Sequence, residues 1–218
     1  MKKYIIAIFV IFVAFTVAYF DGGLLGSGIG LATVFPFLTT EYEGEDNLPG
    51  IARGYIIRTA DIDVEAKPVA SPTTTEAAMT IIGSHTLATG KYFAKLYSTL
   101  GKGNLKFESA GSRDFENFET TGILFYPSTK KQALALSSAV LGQDLIIVLE
   151  ENSDSDYLLQ VGTKKLPARI VAKGDWGTEL NGEKGIEFSI QAFHGKKPVY
   201  FYDGAVLIGS GDDQNPVS

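Results

Sequence analysis

Asp144-Leu-Ile-Ile-Val-Leu-Glu150 is an unbroken apolar run set between two acids. Five apolar residues in a row can be buried on both faces of a sheet, whereas alternation buries only one. The polar turn Glu151-Asn-Ser-Asp-Ser-Asp156 follows, and then a second strand, Tyr157-Leu-Leu-Gln-Val161, stopped by Gly162. Leu166-Pro-Ala168 leads into a glycine-rich excursion marked by Gly174, Gly177, Gly182 and Gly185. Beyond it Ile186-Glu-Phe-Ser-Ile-Gln-Ala-Phe193 alternates cleanly, and the body closes on Pro198 and Tyr200-Phe-Tyr-Asp-Gly204. This half of the chain describes a scaffold of strands, with no gathering of reactive groups.

The same pattern extends upstream. Gly54-Tyr-Ile-Ile-Arg58, Met79-Thr-Ile-Ile82 and Tyr92-Phe-Ala-Lys-Leu-Tyr97 read as strands, the last with some helical character. Ala66 to Thr75 holds Pro68, Pro72 and three threonines and reads as a loop. Asn104-Leu-Lys-Phe-Glu-Ser109 alternates, with Leu105 and Phe107 inward and Lys106 and Glu108 outward. Asp114-Phe-Glu-Asn-Phe-Glu119 then leads to Gly122-Ile-Leu-Phe-Tyr126, and the spacing of Phe115 and Phe118 predicts a bulge. One segment is helical, over about 129–141: Ser128 offers an N-cap and Gly142 a stop. Its apolar stripe, Ala133, Leu134, Leu136, Val140 and Leu141, is expected to lie on the sheet. The fold class is mainly β, a sandwich or barrel of antiparallel strands with one packed α-helix, preceded by an apolar N-terminal segment.

The chain has 218 residues, enough for one main domain with an ample core. Its formal net charge is −6; residues 1–40 hold Lys2 and Lys3 against Asp21, so the remainder is more acidic still. That balance argues against wrapping or base-reading of duplex DNA, which needs a basic face. The absence of cysteine excludes disulfides, thiolate metal sites and thiol nucleophiles. Four regions follow: an apolar N-terminal segment (1–40), an acidic linker (41–50), a β body (51–206) and a C-terminal tail (207–218). Within the first, Lys2-Lys3 precede an apolar run from Tyr4 to Phe20 that includes Ile5 and Phe12. It reads as a signal, a membrane anchor, an arm, or the product of a mis-assigned start.

Few residues are spaced for chemistry. His85 and His194 are far apart, without a second ligand at metal-site spacing, and read as surface or turn residues. Asn152-Ser-Asp-Ser-Asp156 has the odd-position oxygens of a calcium loop but lacks its glycine and closing glutamate, so it reads as a solvated hairpin turn. No Walker loop, nucleophile elbow or zinc-protease motif is present. Glu116 and Glu119 could do acid–base work, but a polar strand face accounts for them more simply. The expectation is a protein that is not an enzyme and takes no cofactor or metal.

The order of features has a likeness. A helix precedes a hairpin whose second strand runs Tyr157 to Gly162; Leu166-Pro-Ala168, Gly185-Ile-Glu-Phe-Ser189, Pro198 and Tyr202-Asp-Gly204 follow. Residues 51–206 thereby resemble the major tail tube proteins of long-tailed bacteriophages, most like versions from phages of Bacteroidetes-type hosts, which share their fold with type VI secretion tube proteins. The resemblance implies a structural subunit: hexameric rings, joined strand to strand into a continuous barrel, stack into a tube in the virion after assembly in the host cytoplasm. Partners would be further copies of the chain, other tail proteins, and double-stranded DNA passing through without specific binding. Glu108, Glu116 and Glu119 become candidates for an acidic lumen, and the stretch holding Asp61, Lys67, Pro68 and Pro72 a candidate inter-subunit loop. The apolar first forty residues depart from the family pattern. They support an alternative of another class, a membrane-anchored or exported β-sandwich serving binding or adhesion.

Overall fold

The computed structural model describes residues 48–209, apart from 71, 73, 113, 115, 154–156 and 178–182. The apolar run with Ile5, Phe12 and Phe20 therefore lies outside the described residues, as do the tail beyond 209 and most of the linker. Among the described residues, no helix is long and apolar enough to cross a membrane.

Two sheets form the body. The larger one contains β1 (Ile51–Arg58), β3 (Thr80–Ile81), β5 (Ala94–Tyr97), β8 (Leu145–Glu151), β9 (Leu158–Val161) and β12 (Tyr200–Tyr202), in the order β3-β12-β9-β8-β1-β5. The smaller contains β6 (Asn104–Ala110), β7 (Asn117–Tyr126), β10 (Arg169–Asp175) and β11 (Gly185–His194), in the order β10-β11-β7-β6 with every pairing antiparallel. A third, two-stranded ribbon joins β2 (Ile62–Val64) to β4 (Thr86–Leu87). The fold is mainly β, a sandwich with one substantial helix, as the alternation of the sequence implies; neither sheet closes into a barrel within the chain.

Strand β8 shows why the acid-flanked apolar run decides the architecture. Its residues Leu145, Ile147 and Leu149 join Leu124, Ile186, Phe188 and Ile190 in the core between the two sheets. Ile146 and Val148 point the other way, into a second cluster with Tyr55, Ile57, Ile62, Phe93 and Tyr202. All five are fully enclosed because the excursion between β1 and β5 folds back over the outer side of the larger sheet. Close approach of the layers depends on Gly54: a Cβ there would stand 2.6 Å from Leu124 Cδ1. Gly162 ends β9 with φ +86°, in the left-handed region that favours glycine.

Helix α2 (Lys131–Val140) falls where its periodicity places it, and Gly142, at φ +68°, stops it. It buries Ala133, Leu136 and Val140 in the inter-sheet core. Leu134 and Leu141 are not part of that face. They are 40% and 71% exposed, because the buried stripe at 133, 136 and 140 leaves them turned to solvent. Nor does Ser128 cap the helix: the N-cap is Lys130, without a side-chain cap, and Ser128 Oγ accepts from Lys130 N–H.

Two further features differ from the sequence pattern. The end of the expected loop holds a short helix, α1 (Thr75–Met79), whose N-cap Thr74 accepts from Ala77 N–H at 3.1 Å. Strand β10 runs through the start of the glycine-rich excursion. Phe115 lies outside the described residues, and with it part of the segment where a bulge is expected; β7 pairs with β6 over Asn117–Ile123 and with β11 over Phe118–Tyr126 without a register shift.

Candidate assembly surface

The larger sheet is packed on both sides; the smaller is packed on one only. Alternation puts Thr120, Gly122 and Leu124 of β7 and Phe188, Ile190 and Ala192 of β11 inward. The bare face presents Lys106 and Glu108 from β6, Glu119 and Thr121 from β7, Glu187 and Gln191 from β11, and Arg169, Lys173 and Asp175 from β10. Several of these charges are paired within the chain: Arg169 to Asp144 at 2.7 Å, and Lys173 to Glu187 at 3.7 Å.

Both edges of this sheet are largely free, although Ala168, just before β10, is bridged to Leu145 of β8. Each of β6 and β10 is seven residues long, and among the described residues neither carries a further strand outside it. The larger sheet ends instead on β3 and β5, of two and four residues. Long unpaired edges invite pairing with another chain. They also carry exposed aromatics: Phe107 of β6 is 56% exposed, and Trp176, just past β10, is 61% exposed. Phe107 packs edge-on against Phe118 with centroids 5.9 Å apart.

Of the three glutamates singled out for a lumen, Glu108 and Glu119 sit directly opposite one another on the bare face. Like charges in that position repel, and Gln191 Nε2 donates to Glu119 Oε1 at 2.8 Å, giving one of them a partner. Glu116 is exposed but precedes β7, so strand alternation does not place it with the other two. The stretch singled out for inter-subunit contact is partly built into the domain. Asp61 closes a 3-10 turn and pairs with Arg58 at 2.6 Å, and its carbonyl accepts from Ala88 N–H. Pro68 bridges to Ile81. Lys67 and Pro72 are exposed.

The histidines are not surface residues; each is 3% exposed. His85 Nδ1 accepts from Ala66 N–H at 3.1 Å, so its Nε2 carries the proton and donates to Gln160 Oε1 at 2.9 Å. Gln160 Nε2 donates to the Gly162 carbonyl, and Gly162 N–H approaches His194 Nε2 at 3.4 Å. His85 stacks on Tyr202, with centroids 5.1 Å apart. Burial holds both imidazoles below their ordinary pKa; Gln160 and Glu65 oppose that shift at His85. The chain of bonds ties the excursion to β9 and β11 and is structural. Only the apolar neighbourhood, not the spacing, could have signalled it.

Between the sheets, beside β6, lies a groove of about 590 Å³ lined mainly by Leu105, Phe107, Tyr157, Leu159, Val199 and Phe201. It offers a substrate few polar groups to orient it. Among the described residues no cluster of His, Asp or Glu could hold a metal ion; Asp154 and Asp156 lie outside them. Comparisons with protein-family models, with curated proteins and with solved structures return no match.

Proposed function

We propose that the chain is a structural subunit of a bacteriophage-type tail tube: copies join through the smaller sheet into rings, and the rings stack around a channel that conducts double-stranded DNA. One observation carries this reading, namely that the same sheet has two long free edges of opposite direction. Its four strands alternate, so β6 runs antiparallel to β10. A neighbour related by rotation about an axis along the strands therefore continues the ladder antiparallel, with no break in its pattern. Such a head-to-tail contact closes into a ring and removes both edges at once.

The bare face supports the rest. In a ring it lines one wall of the sheet, and its basic groups Arg169 and Lys173 are already held by Asp144 and Glu187. Glu108 and Glu119 remain toward the channel. Such a wall offers phosphates few free cations, and DNA slides past without sticking. Assembly takes place in the host cytoplasm and the product resides in the virion. Sedimentation and negative-stain microscopy of the full chain test the reading: rings or tubes support it, and a monodisperse monomer at every concentration overturns it.

A further inference from the structure

We infer that β6 of one copy pairs with β10 of a second copy in a single register, which sets Lys106 against Asp175 and Glu108 against Lys173 of the partner subunit. This rests on the edge-to-edge assembly proposed above and specifies its joint. The sheet's faces restrict the choices, since a slip of one residue would turn every side chain to the wrong side. On the bare face β6 presents Asn104, Lys106, Glu108 and Ala110, and β10 presents Arg169, Val171, Lys173 and Asp175. Allowed registers therefore differ by two residues.

Shifting one way puts Lys106 against Lys173; shifting the other puts Glu108 against Asp175. Like charges directly opposite destabilise a strand pair. A further step sets Glu108 against Arg169 but leaves Lys106 facing Val171, so only one opposite-charge pair forms. The inferred register gives two opposite-charge pairs and no like pair. Ala110 then meets Val171, and five residues of each strand, 106–110 and 171–175, are paired.

The core-side residues agree with it. In this register Phe107 falls opposite Gly174, and Leu105 opposite Trp176. The Trp176 ring of the same chain already borders Gly174, 3.6 Å from where a Cβ would stand, with Ile186 at 3.8 Å. An aromatic ring laid across a strand glycine fills the space that the glycine leaves. The two exposed aromatics of the edges, Phe107 and Trp176, are thereby brought together and covered.

The chain has no cysteine, so introduced pairs report cleanly. Directly opposed residues of antiparallel strands have Cα atoms about 4.5–5.5 Å apart, within the range that a disulfide spans. Full-length E108C/K173C is expected to form a covalent ladder of subunits on mild oxidation, while K106C/K173C and E108C/V171C stay largely uncross-linked. Without cysteines, K173E should lose roughly tenfold in association constant per joint, and E108K/K173E should regain it. A melting curve like that of the parent shows that each variant is folded. Preferential cross-linking of either offset pair overturns the register while leaving edge-to-edge rings standing. No cross-link in any pair, from a chain that stays monomeric, overturns the rings as well.

Discussion

Replacing Leu136 by Ala tests whether α2 is a structural member of the sandwich or an appendage to it. Leu136 is 3% exposed and lies in the core cluster with Leu124, Leu145 and Phe188. The change deletes the equivalent of about three methylene groups, worth about 2.4 kcal/mol at ~0.8 kcal/mol each, and adds a cavity term. A pocket of about 330 Å³ already borders this side chain, shared with Ile56, Ala94, Val140 and Leu145. Neighbours can relax toward that space, so the expected loss sits low in the observed range for such changes, about 2–3.5 kcal/mol. Urea titration of parent and variant, with the slope unchanged, reads this directly. Heating should show it as a drop of about 4–14 °C, at about 2–4 °C per kcal/mol for a body of this size. Leu141→Ala is the internal control; at 71% exposure it should change stability by less than about 0.5 kcal/mol. If both variants behaved alike, the helix would not pack as described.

Other expectations follow from the same interior. Burial depresses the pKa of His85 and His194 from the ordinary value of 6.5, so as pH falls below 6.5 the unfolded chain takes up protons that the native one does not. Stability should therefore be full above that pH and fall by up to about 1.4 kcal/mol per pH unit per histidine; His85→Gln should lower stability at pH 8 but flatten the slope, and an unchanged slope counts against the buried neutral tautomer. Gly54→Ala drives a methyl against Leu124 and should cost about 1–3 kcal/mol, partly recovered with Leu124→Val in a double-mutant cycle. Lys106→Pro, inside edge strand β6, should block assembly measured by light scattering, whereas Glu116→Pro, before β7, should be tolerated. Equal loss in both would remove β6 from the joint.

Strong patterns were legible where burial is two-sided or strictly alternating. The run at 145–149 and the alternation at 186–193 each became strands with the faces their sequence assigns. Strand β10 is not legible in the sequence because it is an edge. Its outward Arg169 and Lys173 and its glycine at 174 give no apolar rhythm, and only Ile170 of the strand is fully buried. Leu134 and Leu141 show the limit of helical periodicity: the pattern marks a stripe, but its width depends on how much sheet lies beneath it. The histidines show another. Two residues distant in sequence, His85 and Gln160, complete one another's hydrogen bonds, and no local spacing announces such a pair. Glu108 and Glu119 meet because β6 and β7 are neighbours in register, while Glu116 sits one step outside the ladder. The free edges of the smaller sheet are a property of topology, so sequence could suggest assembly without locating its seam.

Electron cryomicroscopy of the assembled full-length chain, at a resolution that separates strands, is the most direct measurement. It should show a ring whose wall is one continuous antiparallel sheet, with β6 of each subunit hydrogen-bonded to β10 of the next and the face bearing Glu108 and Glu119 toward the channel. Rings in which those two edges remain unpaired, or in which that face points outward, would contradict the account.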